Sequence, residues 1–382
     1  MRRAAWLGLA GCTWCGLAAA APATTLTAEA GAEADSNVER LERGPGIADA
    51  PVGAPVLRFG ARVAHRTKLA GGTGVLALSG LSRIVGDGSV QRENVVFLTA
   101  DARWAHPLPD RPVAAGLAVT AADAVPLTDS TGSRTFRNLG ADGLLVLRAG
   151  DDKRDTPASL TFAFGARRFT YKPDSKFDWV GPAVNVRLDW MLWQDAAGTS
   201  SLELAGTAGV EARAYDSIAL ASNCNDMQPV DPAMCSARTS IQRQDRYQRA
   251  GVDLVWSSPR LIASGGYAVA VIDSNSFGQS LVRHRATASA TTKLPMKLVG
   301  TAILTLQYDQ FLDGLIVRKD TNAQLFTSIE DENRSSVQLR LARNVTRTWA
   351  LESRLAMWRD IGGDPTTTFS RNLAYLGAIY VR

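Results

Sequence analysis

The chain has 382 residues, of which 46% are hydrophobic, and carries a formal net charge of +5 with a mean hydropathy of −0.06. Its length suits two ordinary domains or one large β architecture, and a barrel with alternating strands gives the same averages as a soluble protein. The mild excess of 42 Lys+Arg over 37 Asp+Glu forms no basic stripe with interleaved aromatic residues, so nucleic acid is not an implied partner.

The N-terminus has the layout of a secretory signal. Arg2 and Arg3 precede a short apolar stretch rich in Ala and Gly, which ends in the small residues Ala18–Ala21. This order of segments predicts a cleaved signal peptide over residues 1–21 and therefore export. The tetrapeptide LAGC, which ends at Cys12, leaves a lipoprotein signal open as the alternative, although the apolar stretch before it is short. No later run of 18 or more apolar residues predicts a membrane helix.

Residues 22–382 are dominated by alternation of apolar and polar side chains with a period of two. In Leu202–Tyr215, one face carries Leu204 and Val210, and the other carries Glu211 and Arg213. Strands of a β-sandwich average about five or six residues, whereas a tilted strand needs about nine to eleven to cross a membrane. The alternating segments are long, and we predict strands near residues 25–34, 55–66, 70–82, 93–105, 113–123, 139–149, 157–169, 179–192, 201–215, 246–256, 260–272, 280–292, 296–308, 334–344, 348–358 and 370–381. We therefore predict an all-β fold, a transmembrane antiparallel up-and-down β-barrel of about 16 strands, with 14 possible.

The links between these segments alternate in length. Short links read RTKLA, SSPR, KLPM and NVTR, whereas long links include residues 35–51 and 311–333. Outer-membrane barrels have tight periplasmic turns and longer external loops, and a sandwich has no reason to alternate in this way. An even number of strands then leaves both chain ends on the side of the short turns.

The cysteines and histidines bear on redox state and catalysis. Cys224 and Cys235 flank one polar loop, and in an exported chain they predict a disulfide; a zinc site is the alternative, but it needs further ligands. The only histidines are His65, His106 and His284. We expect two of them on the outer face or rim and His106 in a turn. General-base chemistry on so few histidines is not favoured, so we predict no enzyme, cofactor or metal centre.

The polar faces of the segments predict a wet lumen rich in arginine. The candidates for solute selectivity are Arg58, Arg62, Arg103, Arg187, Arg213, Arg283, Arg285, Arg340 and Arg354. Rings of arginine favour anions. Acidic residues on the same faces leave a second interpretation open, namely a ladder of salt bridges that fills the interior.

Both ends of the mature chain resemble Gram-negative outer-membrane barrels. The opening AEAGAEADSNVER resembles their first strand, with an acidic-Ser-Asn-Val element entering the first external loop. The closing YLGAIYVR resembles the terminal β-signal, with Tyr375, Leu376, Gly377 and Tyr380 matching, although Arg382 stands where an aromatic residue is usual. The resemblance implies a porin-like protein among outer-membrane lipids, assembled by the barrel-assembly machinery through its last strand.

The last fifty or so residues are also similar to barrels of the surface lipoprotein assembly modifier type, which carry a helical repeat domain not evident here. Three functional hypotheses follow. The first is a passive channel for small polar or anionic solutes. The second is a barrel that assists surface display or secretion of a protein partner. The third is a structural or adhesive barrel whose loops bind a partner.

Overall fold

The computed structural model describes residues 23–43, 50–109, 111–128, 135–149, 157–222, 236–312, 334–361 and 368–382. Within these residues sixteen strands each pair antiparallel with their sequence neighbours, and the first pairs with the last. The result is a closed barrel, which confirms the predicted fold class with sixteen strands rather than fourteen. Closure matters because it leaves no row of unpaired backbone groups along the described strands.

The strands agree with the predicted segments to within a few residues, apart from two that are much longer. They are β1 Ala23–Asp35, β2 Ala54–Leu69, β3 Gly72–Val85, β4 Val95–Pro107, β5 Val113–Pro126, β6 Phe136–Ala149, β7 Ala158–Tyr171, β8 Trp179–Gln194, β9 Ser201–Ser222, β10 Ser236–Ser257, β11 Leu261–Ser274, β12 Leu281–Lys293, β13 Leu298–Phe311, β14 Ser335–Asn344, β15 Trp349–Arg359 and β16 Ser370–Val381. Short 3-10 helices at Gly88–Glu93 and Ser175–Phe177 lie in the links. No helix among the described residues is long and apolar enough to cross a membrane.

Alternation along each strand separates two faces, as predicted. The outer face carries large apolar side chains that are more than a third exposed, among them Leu57, Phe59, Leu117, Phe164, Val184, Leu254, Leu306, Leu339, Leu355 and Leu376. The inner face carries most of the charged side chains. Register extends this separation around the ring: Ala32 faces both Leu57 and Leu376 on the outside, whereas Glu33 faces Val56 and Tyr375 on the inside.

The two ends of the barrel differ. The short turns, together with the start of β1 and the end of β16, lie at one end, and the longer links lie at the other. β9 and β10 each have 22 residues, so this hairpin continues beyond its neighbours on the long-loop side. The sequence predicted strands only over 201–215 and 246–256. Residues 236–245 of β10 are mostly polar on both faces, so they carry no alternation that predicts a strand.

The seam between β1 and β16 is packed by one aromatic side chain. Gly31 and Gly377 face each other in register, and the Tyr375 ring lies over both. A Cβ atom on Gly31 would lie 2.6 Å from that ring, so the absence of side chains here allows the close approach. Beyond β16, Arg382 exchanges two backbone hydrogen bonds with Leu26, which extends the seam to the last residue of the chain.

Candidate functional site in the barrel interior

Exposure of the inner face falls towards the long-loop end. On β2, Arg58 lies near that end and is 6% exposed, whereas Arg62, closer to the short turns, is exposed. On β10, Tyr247 is buried, whereas Arg249 and Asp253 are exposed. We call the buried region beside the long loops the packed end. Inner-face side chains are therefore more exposed on the short-turn side than at the packed end.

All nine predicted selectivity arginines lie on the inner face, but most of them are paired. Carboxylate partners lie 2.5–2.9 Å from Arg58, Arg103, Arg187, Arg213, Arg283 and Arg354. Arg340 donates a longer hydrogen bond, 3.4 Å, to Gln338. Salt bridges therefore account for much of the inner wall, in agreement with the second interpretation of the sequence.

Many of these pairs come from one short sequence pattern. An acid and an arginine two positions apart on a strand share a face, because side chains alternate with a period of two. Asp101 and Arg103 form such a pair, as do Glu211 with Arg213 and Arg243 with Asp245. The spacing is visible in the sequence, so it was the signal that could have identified the pairs in advance.

The largest charged cluster that we describe is formed by side chains of β1, β3 and β16, around the strand pair that closes the ring. Asp35 accepts hydrogen bonds from Arg83 at 2.8 Å and from Arg371 at 2.5 Å, and its side chain is fully buried. Arg83 also bonds Glu33, at 2.6 Å. Arg371 in turn stacks over the Trp358 ring, 4.7 Å from its centre. We call Glu33, Asp35, Arg83 and Arg371 the Asp35 cluster.

A second cluster lies about half a circumference away, on β8, β9 and β10. The Arg213 guanidinium lies between the rings of Trp179 and Tyr247, 4.5 Å from the centre of each, and bonds Glu211 at 2.5 Å. Arg243 lies 4.1 Å from the centre of the Tyr215 ring. Burial and stacking fix both guanidinium groups in orientation.

Aromatic side chains continue the packed end from β4 to β8. Phe97, Phe136, Phe169 and Trp179 follow one another around the inner wall with ring centres 5.8–6.0 Å apart. All four are buried. Offset contacts at this spacing contribute favourably beyond the area that they bury. This apolar arc and the charged clusters together line the long-loop end of the described barrel.

Sequence reasoning missed several inner residues of the packed end. Arg83, Arg371 and Asp35 were not proposed, because each lies at the extreme end of a predicted strand, where its face is ambiguous. Arg243 and Asp245 lay in a predicted loop. The buried contacts of these residues depend on which strands become neighbours in the ring, and strand alternation does not state that.

The histidines and cysteines have the following places. His65 and His284 lie on the outer face, as expected, and bond Thr24 at 2.8 Å and Tyr267 at 2.6 Å. The prediction for His106 was wrong: β4 stays paired with β5 as far as Pro107, so His106 lies in the strand and stacks on Trp104.

Cys224, Cys235 and residues 1–21 lie outside the described residues. Among the described residues no group of three His, Cys, Asp or Glu side chains could hold a metal ion.

Comparison with known proteins gives no family assignment. No family model matches the chain, and no curated protein matches it. Solved structures do match at low similarity. They include Salmonella typhi OmpF in complex with daunomycin, at 11% identity over 94% of this chain and 97% of that chain, with a TM-score of 0.46. A mutant of the TodX monoaromatic hydrocarbon channel gives 11% identity, 95% and 90% coverage and a TM-score of 0.41. A triple mutant of the Rhodopseudomonas blastica porin has 10% identity over 94% of this chain and 100% of that chain, with a TM-score of 0.38. At these scores none of the matches carries an argument about function.

Proposed function

We propose that the protein is a passive channel of a bacterial outer membrane that admits small polar solutes and prefers anions. The observation that carries this proposal is the separation of the two faces in a closed ring. A soluble monomer rarely exposes a contiguous apolar patch of more than a few hundred Å². Here the apolar side chains surround the barrel, and only a hydrocarbon environment makes that exposure favourable.

The interior supports conduction. Barrels with about sixteen strands are wide enough to leave an aqueous lumen. Charged side chains on the inner face, such as Arg62, Arg249 and Asp253, are exposed on the short-turn side of the packed end. Hydrated charges of this kind are expected where ions pass, not where a dry core is packed.

We assign the anion preference to two arginines rather than to the nine named from the sequence. Salt bridges neutralise most of those nine. Arg62 is exposed and has no carboxylate within 4 Å among the described residues, and Arg249 bonds the neutral Asn185 amide oxygen at 2.7 Å. β2 and β10, which carry them, lie half a circumference apart. Two unneutralised guanidiniums on opposite walls give a lumen a positive potential.

The test is ion selectivity in planar lipid bilayers. Purified protein in a potassium chloride gradient should give a reversal potential shifted from zero towards the equilibrium potential of chloride. The double variant Arg62→Glu and Arg249→Glu should move it towards potassium. Arg347→Glu, the same type of substitution at one site in the turn between β14 and β15, is the control and should leave it in place. Absence of conductance in every preparation contradicts the channel, and an unchanged reversal potential in the double variant contradicts the assigned residues.

Three finer points belong to the same proposal. Export would remove residues 1–21, so the N-terminus of the protein isolated from outer membranes should lie near Pro22. Oxidation after export would join Cys224 to Cys235, and peptide mapping without reductant should recover that link. The barrel-assembly machinery would recognise β16. Tyr380 of that strand would then lie on the lipid-facing side of the barrel. The proposal requires no cofactor and assigns no catalytic step.

A further inference from the structure

Arg249 is held on the inner wall by a neutral side chain two strands away. Its Nη2 donates to the Asn185 side-chain oxygen at 2.7 Å, although β9 lies between β10 and β8, which carry the two residues. Arg249 is exposed, whereas Asn185 is partly buried. Within the described part of the chain, Arg249 forms no other hydrogen bond and no salt bridge. A guanidinium has five N–H donors, so most of them remain available on the lumen side.

Gly209 of β9 allows this contact. It pairs with Asn185 on one side and with Arg249 on the other, so the three residues form one row across the inner face. A Cβ atom at Gly209 would collide with the Asn185 side-chain oxygen and would lie 3.3 Å from Nε of Arg249. Because no side chain stands between them, the guanidinium and the amide extend towards each other over the backbone of β9.

The same hydrogen bond fixes the orientation of the Asn185 amide. An arginine side chain only donates hydrogen bonds, so the Asn185 atom that faces it must be the carbonyl oxygen. The NH₂ group of Asn185 then faces away from Arg249. Since Asn185 forms no other side-chain hydrogen bond to the described residues, this NH₂ group is a second donor beside the guanidinium.

No carboxylate neutralises Arg249 within the described residues. Two inner-face acids on the neighbouring strands, Glu211 and Asp189, pair with arginines of their own strands at 2.5 and 2.6 Å. Asp253, further along β10, turns the opposite way and lies over Gly266 of β11, where a Cβ atom would collide with its carboxylate. The row therefore keeps the positive charge of its arginine.

The positions on either side of this row carry small apolar side chains. Ala163 of β7 pairs with Asn185, and Ala270 of β11 pairs with Arg249. Along this line of five paired positions, from β7 to β11, the guanidinium and the amide are the only polar side chains. The two donor groups thus lie side by side on a shallow part of the wall, and the exposure of Arg249 indicates that a solute can reach them.

From this arrangement we infer that Arg249 and Asn185 form a binding subsite for the carboxylate group of small anions. The inference rests on the proposed anion preference and deepens it by naming the class of solute. A guanidinium presents two parallel N–H donors that match the two oxygens of a carboxylate, whereas a spherical chloride ion offers no such match. Asn185 holds this fork in one orientation, so it is the positioning residue of the subsite.

The experiment measures binding of formate to the purified protein in detergent micelles by saturation-transfer NMR at fixed ionic strength. The wild type should transfer saturation to the formate proton. Arg249→Lys keeps the charge but removes the fork, so the signal should fall to background. Arg62→Lys is the matched control, because Arg62 is also exposed on the inner face but bonds no amide among the described residues, and it should leave the signal unchanged. Equal losses in the two variants would overturn the subsite.

Two further variants test the positioning role of Asn185. Asn185→Leu should abolish the formate signal while the reversal potential in potassium chloride stays in place, because the charge of Arg249 remains. Gly209→Ala keeps both donor groups but puts a methyl group between them, so it should also weaken the signal. Asn138→Leu, at a partly buried inner-face amide of β6 without a described hydrogen bond to an arginine, is the control. Undiminished formate binding in Asn185→Leu and Gly209→Ala would overturn the role of Asn185.

The outcomes separate this inference from the channel proposal. A wild type that conducts but gives no formate signal would overturn the subsite and leave the channel intact. A wild type that binds formate through Arg249 but never conducts would support the subsite and contradict the channel. Electrophoretic mobility with and without heating identifies variants that have not folded; should Asn185→Leu fail this check, Asn185→Ala takes its place.

Discussion

Asp35 and Arg371 lie 336 positions apart in the sequence, and their side chains are joined by hydrogen bonds of 2.5–3.1 Å. One residue ends the first strand and the other begins the last. Their contact therefore exists only after the ring has closed. Arg83 bonds the same carboxylate from the third strand, so one buried acid ties together three strands around the seam.

Substituting Asp35→Asn should strongly destabilise the closed barrel. The substitution removes the negative charge of a buried carboxylate that both Arg83 and Arg371 contact, and leaves Glu33 as the acid bonded to Arg83. Loss of one partner of a buried pair costs about 3–5 kcal/mol. Urea titration of the barrel in detergent micelles would measure the loss of unfolding free energy. Asp101→Asn is the control, because the Asp101–Arg103 pair is partly exposed and should contribute about 0–1 kcal/mol. Equal losses in the two variants would mean that closure does not depend on the Asp35 cluster.

A charge placed on the outer face should hinder insertion into lipid. Leu304 lies near the middle of β13 on the outer face, and Leu304→Lys should cost about 2–4 kcal/mol at the membrane midplane. Thr207 lies on the inner face of β9 and is only partly buried, so Thr207→Lys should be tolerated. Folding into lipid vesicles at a series of urea concentrations would compare them. Matching penalties at the two sites would argue against hydrocarbon on the outer face.

Adding a methyl group at the seam should displace Tyr375. A Cβ atom at Gly31 would lie 2.5 Å from the Leu376 carbonyl oxygen and 2.6 Å from the Tyr375 ring, so both the backbone of β16 and the ring would have to shift. Overpacking of this kind costs about 1–3 kcal/mol, so Gly31→Ala should fold less stably. Gly265→Ala is the matched control in β11, since its nearest heavy atom would lie 4.0 Å away. Should Gly31→Ala prove as stable as Gly265→Ala, close packing of Tyr375 would not contribute to the seam.

Arg213 should depend on its planar shape as well as its charge. It is sandwiched between Trp179 and Tyr247 and bonds Glu211. Arg213→Ala removes a buried guanidinium with its stacking and leaves the partly exposed Glu211 carboxylate without its partner, so we expect a loss of about 1–3 kcal/mol. Arg213→Lys keeps the charge but stacks poorly, so it should recover only part of that stability. The two unfolding free energies decide the point: full recovery by lysine would show that stacking contributes nothing.

The sequence by itself determined the strands, their faces and the alternation of short and long links. These features are local. Hydrocarbon on one side and water on the other impose a period of two on each strand, and a pattern such as that of Leu204 and Glu211 records it directly. For this reason the outer position of His284 and the inner position of Arg62 could both be predicted.

Only the tertiary structure decided which charged side chains of distant strands contact one another and where the inner face is buried. Asp35 meets both Arg371 and Arg83, because the closed order of strands brings distant segments to one seam. No local pattern encodes that order. The nine predicted arginines lie on the inner face. Four of them pair with a carboxylate two positions away on the same strand, whereas the partners of Arg58 and Arg283 lie on a neighbouring strand and depend on the register.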